Sequence, residues 1–286
     1  MRDLNEESIT AEVLCAVGQA ENPRIRQISE SLVRHLHAFV REIEPSQAEW
    51  EFGVSFLTRV GQMCSETRQE FVLLSDTLGV SMLVDAINHR TADAATETTV
   101  FGPFFVETRP QLSLGDNISP GVPGVPLFVS GTVRGPDGAP LSALVDTWHS
   151  DDEGFYDVQV SDELKMRGSF RTDVDGRFWF WSVKPKYYPI PNDGPVGQML
   201  EAQGRHPFRP EHVHFMIEAP GFQTLVTHVF IDGDPYLESD VVFGVKTSLV
   251  TRYRECQPGT APDGTQMDRP YLVLDYDFIL AEAAAQ

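Results

Sequence analysis

Two patterns divide this chain. Up to about residue 90, apolar side chains recur every three or four positions; from Pro126 onward they fall in short runs broken by turns. In the first region Ile25, Ile28, Leu32, Leu36, Phe39, Val40 and Ile43 follow Asn22-Pro23, which predicts an amphipathic helix that Pro45 stops. Ser46 and Glu49 have capping-box spacing and open a second helix through Trp50, Val54, Leu57 and Val60. A third runs through Phe71, Leu74 and Leu78, breaks or bends near Gly79, and continues through Met82 to Ile87. A shorter amphipathic segment covers residues 8–17. Such stripes either pack together in a helical subdomain or build a dimer interface. Only the second leaves an apolar face exposed on the isolated chain.

The β pattern occupies residues 127–133, 144–149, 177–183, 212–219, 225–231 and 271–280. Gly135-Pro136-Asp137-Gly138, Asp175-Gly176, Pro220-Gly221 and Asp232-Gly233-Asp234 mark turns between these runs. Many short strands with frequent turns predict an antiparallel β-sandwich or barrel, of which the sandwich is the expectation. The expected class is therefore α+β. A helical N-terminal region spans residues 1–90, a connector 91–125, and a β-sandwich catalytic domain 126–286. The connector carries Val100-Phe101-Gly102-Pro103-Phe104-Phe105, an apolar run of the kind that walls a pocket. The tail, residues 281–286, is expected to fray.

Composition narrows the function. The chain has 286 residues, 41% hydrophobic and 22% charged, with a net charge of −20. So acidic a surface repels nucleic-acid phosphates and anionic membranes, and an anionic substrate would need a local cation such as a metal or Arg209. No apolar run approaches the ~18 residues of a membrane span. The polar start MRDLNEESIT is unlike a signal peptide, and three widely spaced cysteines (Cys15, Cys64, Cys256) suit a reducing cytoplasm.

The candidate chemistry centres on His212-Val213-His214. Imidazoles at i and i+2 of a strand share a face and can reach one metal ion. Glu211 should point to the opposite face, and Glu218 lies too far along the strand. His206 and His228 are each available as a third nitrogen, which leaves a zinc hydrolase open. Two upstream segments, Asp151-Asp152-Glu153-Gly154-Phe155-Tyr156 and Pro185-Lys186-Tyr187-Tyr188-Pro189-Ile190-Pro191, carry phenols. A phenol, with a pKa of about 10, ligates at neutral pH only against a strong cation. Two imidazoles and two phenolates make a hard, anionic set that favours ferric iron over zinc. A β-sandwich ligand-binding module without catalysis is the third class.

Four pieces of sequence carry a resemblance. They are Trp148-His149…Gly154-Phe155-Tyr156; Pro185…Tyr188…Pro191-Asn192-Asp193-Gly194-Pro195; Gly204-Arg205-His206…Arg209-Pro210-Glu211-His212-Val213-His214; and Gly233-Asp234-Pro235-Tyr236. In order and spacing the chain resembles the intradiol ring-cleaving dioxygenases, non-haem ferric enzymes that open catechols between their hydroxyls. The N-terminal helices match in place and size, so the likeness covers nearly the whole chain. The run from Tyr188 to Gly197, and Val100 to Phe104, are most similar to the hydroxyquinol 1,2-dioxygenases.

The resemblance implies one Fe(III) per subunit held by Tyr156, Tyr188, His212 and His214. It implies that Tyr188 leaves the metal, taking a substrate proton, while Tyr156 stays. Arg209 becomes the fixed cation that stabilises charge developing on the ring. Leu73, Asp76, Val100, Phe101, Gly102, Ile190, Pro191 and Val242 become pocket walls. His228 stands where many catechol enzymes carry glutamine, as a hydrogen-bonding group or as wall. Asp76 falls where the catechol enzymes carry an apolar residue or proline, and is expected to accept a hydrogen bond from a third ring hydroxyl. The implied reaction is O2-dependent cleavage of hydroxyquinol to maleylacetate or its enol tautomer, with catechol as the alternative substrate. A homodimer through the N-terminal helices, holding a lipid in an apolar groove, is implied as well.

Overall fold

The computed structural model describes all residues except Met1, Glu66, Thr67, residues 91–94, Asp162 and residues 284–286. The chain divides into two compact units, Met1–Arg59 and Val60–Gln286.

In the first unit α1 (Ile9–Val17) packs on α2 (Pro23–Ile43), and α3 (Gln47–Met63) begins. The local signals act as their chemistry requires. Asn22 accepts from the backbone N–H groups of Arg24 and Ile25, and Pro23 opens α2 at a position whose N–H needs no helical partner. The Ser46 N–H donates to Glu49 Oε2 at 2.8 Å while the Glu49 N–H donates back to Ser46 Oγ at 3.3 Å, closing the capping box. The α2 stripe is not covered: Leu32 is 63% exposed and Phe39 54%.

The second unit opens with α4 (Glu70–Thr77) and α5 (Val80–Asn88). Gly79 parts them at φ +73°, a left-handed conformation that L side chains rarely adopt. The strands follow as β1 (Pro126–Arg134), β2 (Leu144–Trp148), β3 (Arg167–Arg171), β4 (Arg177–Val183), β5 (Tyr188–Pro189), β6 (Phe208–Arg209), β7 (His212–Glu218), β8 (Leu225–Ile231), β9 (Val250–Thr251), β10 (Arg254–Cys256), β11 (Gly259–Thr260), β12 (Gln266–Met267), β13 (Tyr271–Asp275) and β14 (Phe278–Ile279). Helices α6 (Asp157–Val160) and α7 (Pro195–Ala202) interrupt them. One sheet gathers β4, β1, β13, β14 and β10; the other runs β3-β2-β7-β8-β9. Their shared core includes Leu127, Val129 and Phe180 from the first and Val145, Val213, Phe215, Ile217 and Val229 from the second.

The α+β class holds, but the sheets are mixed rather than antiparallel throughout. β1 runs parallel to β13 and β14, and β8 parallel to β9. Residues 232–249 are long enough to return the chain to the same end of the sheet, as a parallel neighbour requires. Alternation of apolar residues reports which face a side chain takes, not the direction of its strand. The expected run 271–280 is split because Tyr276 crosses over Gly131, where a Cβ would stand 1.9 Å from the Tyr276 carbonyl oxygen. The chain end does not fray from residue 281 as expected. The Gln223 N–H donates to Ala281 O at 2.8 Å, and the Ala283 N–H donates to Gly221 O at 3.0 Å. Residues 284–286 lie outside the described residues.

β7 is buried on both faces. Val213, Phe215 and Ile217 enter the core, so period-two geometry sends His212, His214 and Met216 to the other side. Register then places Trp148, His214 and His228 opposite one another across β2, β7 and β8.

Candidate metal centre

His212 and His214 bring their Nε2 atoms to 3.1 Å from each other. The Tyr156 hydroxyl lies 3.1 Å from His214 Nε2 and 3.4 Å from His212 Nε2. Tyr188 completes the group by ring contact, its centroid 5.1 Å from Tyr156 and 5.6 Å from His212. All four side chains are buried. Tyr156 closes the turn at Gly154; Tyr188 sits on β5, paired with Arg209 on β6.

The protonation states follow from the partners. His212 Nδ1 lies 2.7 Å from the Pro210 carbonyl, which can only accept, so Nδ1 carries the proton and Nε2 presents a bare lone pair. Burial, reinforced by Arg209, holds the His212 ring well below the ordinary imidazole range. Burial and then His212 do the same to His214. Burial pushes the Tyr156 phenol well up, and Tyr188 adds to that push; burial also raises Tyr188, against the pull of Arg209. The Tyr188 hydroxyl and His214 Nδ1 are buried, and neither reaches hydrogen-bond geometry with a partner among the described residues. Neutral nitrogen lone pairs and phenol oxygens crowded together in a dry site are costly unless a cation draws them together. The donor set fits a hard, highly charged metal ion.

Arg209 is 1% exposed and forks onto Asp240, with Nε 3.1 Å from Oδ1 and Nη2 3.2 Å from Oδ2. Burial opposes its charge, but the Asp240 carboxylate outweighs it and keeps the guanidinium ionised. The fork aims Nη1 at the centre, 3.5 Å from His212 Nε2 and 3.4 Å from His228 Nε2. Gly244 permits this pairing: a Cβ there would stand 3.0 Å from Arg209 Nη2 and 3.1 Å from Asp240 Oδ2.

His228 does join the cluster, its ring 4.1 Å from that of His214 and 4.7 Å from that of His212. Three histidine nitrogens therefore stand within 4.8 Å of one another. On geometry alone the three-nitrogen zinc site is available. Arg209 competes for His228 Nε2, and Thr99 bonds His228 Nδ1 on the other side. His206 is elsewhere, bonded to Ser239 Oγ at 2.9 Å. Glu211 faces away as expected, held by Lys184 and the Tyr253 hydroxyl.

Asp76, Val100, Phe101 and Gly102 line one cavity of about 500 Å³, together with Thr99 and Val226. It meets the centre at Gly102, where a Cβ would stand 3.1 Å from His214 Cε1. Asp76 is 4% exposed, and burial pushes its carboxyl up while Ser81 and Arg209 pull it down. Leu73, Ile190 and Val242 are buried and Pro191 is half-buried, but none of the four lines this cavity. The pattern reading missed Asp240, Thr99 and the stacking of Trp148 on His214, at 4.6 Å and 13°. None of these has a local signal, since each acts through a partner distant in sequence or across strands.

With this geometry in view, the comparisons decide the family. Residues 22–96 match the model described as "Catechol dioxygenase N terminus", and residues 100–281 match the model described as "Dioxygenase". The chain belongs to the intradiol ring-cleavage dioxygenases. A hydroxyquinol 1,2-dioxygenase from Rhizobium sp. (strain MTP-10005) is 47% identical over 96% of this chain and 95% of that protein. The crystal structure of hydroxyquinol 1,2-dioxygenase from Pseudomonas putida DLL-E4 superposes with a TM-score of 0.92 at 48% identity, covering 97% of this chain and 99% of that one. A catechol 1,2-dioxygenase from Candida albicans (strain SC5314 / ATCC MYA-2876) is 34% identical over 96% of this chain and 92% of its own. The family removes the zinc-hydrolase and non-enzymatic readings that geometry alone left open.

Proposed function

We propose that this dioxygenase cleaves hydroxyquinol between its adjacent hydroxyls with O2, giving maleylacetate or its enol tautomer. The observation that carries the reading is the convergence of His212 Nε2, His214 Nε2 and the Tyr156 hydroxyl within 3.1–3.4 Å, beside a cavity lined by the buried carboxyl of Asp76 among other groups. The identity to hydroxyquinol enzymes, well above that to the catechol enzyme, supports this substrate over catechol.

Tyr156, Tyr188, His212 and His214 would hold one Fe(III) per subunit. Bound there, Fe(III) would chelate the diol and draw electron density from the ring, so that a ring carbon reacts with O2. The protein's own groups do the rest. Tyr188, which would bind as the phenolate, would accept one substrate proton at Oη and become the neutral phenol that burial favours. Arg209, fixed by Asp240, presents its charge to the negative charge that grows on the ring oxygens. Val100 and Phe101 bound an apolar cavity, and Asp76 accepts from the third hydroxyl. His228, bonded to Thr99 of the cavity lining, stands between that cavity and Arg209 as a further hydrogen-bonding group.

The same reading makes the enzyme a cytoplasmic homodimer. Its support is the exposed apolar stripe of α2, the state expected of an interface rather than of a packed core. A lipid chain along that stripe belongs to the same proposal. The three cysteines are free, which suits a reducing compartment. No helix among the described residues is long and apolar enough to cross a membrane.

Steady-state assays with hydroxyquinol, catechol and protocatechuate, with product identification, test the substrate. Hydroxyquinol should give the highest kcat/KM and an intradiol product. A higher kcat/KM for catechol would overturn the assignment.

A further inference from the structure

Gly233-Asp234-Pro235-Tyr236 is the one stretch of the resemblance that the reaction leaves without a task. Its aspartate lies at the far end of a hydrogen-bond chain that begins at His212. His212 Nδ1–H donates to the Pro210 carbonyl at 2.7 Å. The N–H of that same peptide unit belongs to Glu211, and it donates to Asp234 Oδ2 at 3.1 Å. One planar amide therefore stands between a carboxylate and a ligand imidazole. The amide is clamped: Lys184 and the Tyr253 hydroxyl hold the Glu211 side chain, and the Ile231 N–H donates to Glu211 O at 3.3 Å.

We infer that Asp234 is a positioning residue that strengthens His212 as a metal donor through the Pro210–Glu211 peptide. A carboxylate on the N–H side of an amide draws electron density toward its carbonyl oxygen, and hydrogen bonds in series polarise one another. A more basic Pro210 oxygen pulls harder on the Nδ1 proton and leaves more density on Nε2. Metal-ligating histidines commonly take a carboxylate or carbonyl partner directly; here the two act in series. His214 is the internal contrast, because its Nδ1 is buried with no hydrogen-bond partner among the described residues. The two histidines are thus unequal donors, and Asp234 sets the inequality.

The inference rests on the iron reading proposed above. Asp234→Asn separates the relay from the turn. The amide oxygen still accepts from the Tyr236 N–H, which Asp234 Oδ1 takes at 2.8 Å, but the amide nitrogen cannot accept from Glu211. Gly233→Ala is the control. Gly233 has φ +88° and no atom within 4 Å of an added Cβ, so the substitution strains the turn and leaves the carboxylate in place. The readouts on iron-loaded protein are the tyrosinate-to-iron absorption band and the rate of iron loss to a chelator.

Asp234→Asn should shift the band to longer wavelength, because a weaker donor leaves the metal poorer in electrons, and should release iron ~10–100-fold faster. Gly233→Ala should lower Tm and leave band and release rate as in the wild type. Wild-type band and release rate in Asp234→Asn would overturn the relay, as would equal changes in the two variants. A wild-type protein that takes up no iron would overturn the underlying reading and the relay with it, a result distinct from either.

Discussion

The histidine-bearing face of β7 and the apolar face of α2 depart from ordinary protein surfaces in opposite senses. Behind β7, nitrogen lone pairs, phenols and a guanidinium are gathered where water does not reach. Along α2, Ile28, Leu32, Leu36 and Phe39 are more than half exposed. Either arrangement costs free energy in the isolated chain, and each is relieved by a partner of one kind. Convergent lone pairs are relieved by a cation, and an apolar stripe by another apolar surface. The difference also separates chemistry from assembly. The first region needs strand register to deliver particular atoms to one point, whereas the second needs only apolar side chains at helical spacing.

The sharpest break of the polar side is Arg209→Ala. It removes the charge aimed at the histidine cluster and leaves Asp240 buried without its partner. We expect kcat/KM to fall ~10²–10³-fold and stability to fall by about 3–5 kcal/mol, measured by steady-state kinetics and denaturant unfolding. Unchanged kinetics would show that Arg209 serves packing only.

The apolar side breaks with Leu32→Glu and Phe39→Glu together. Two-fold symmetry repeats each new charge in one interface, so the dimer should weaken by about a hundredfold or more. Sedimentation velocity across micromolar concentrations reads the change. A wild-type chain that sediments as a monomer would remove the dimer.

A smaller effect tests the pocket. Asp76→Ala removes the buried acceptor, whose pairing with the third hydroxyl is worth about 1–3 kcal/mol. The hydroxyquinol-to-catechol ratio of kcat/KM should drop about tenfold. An unchanged ratio would assign Asp76 to helix structure alone.

These regions were not equally legible in the sequence. The α2 stripe, the Ser46–Glu49 box and the break at Gly79 follow from local spacing, and the structure realises each. The shared face of His212 and His214 was legible for the same reason, since alternation fixes it once the strand is recognised. Strand direction was not: β13 and β14, expected within an antiparallel fold, lie parallel to β1, and the two-residue β9 is too short to show any alternation. β3 escaped because Arg167 and Ser169 interrupt any apolar alternation. Both are nonetheless buried, and Arg167 is paired with Asp157. Residue chemistry raised the phenols as candidates, but the assignment of Tyr156 and Tyr188 as the proposed ligands came through the family resemblance, because a phenol after a turn usually just packs. Asp240 and Thr99 carried no signal, for an anchor's role exists only once the fold has delivered its partner.

The central claim is the four-residue coordination of iron, and X-ray diffraction from iron-loaded crystals at the iron absorption edge tests it most directly. The account predicts one anomalous peak per subunit, within bonding distance of Tyr156 Oη, Tyr188 Oη, His212 Nε2 and His214 Nε2. A peak held by His212, His214 and His228 with both phenols turned away, or no peak beside His212 and His214, would contradict it.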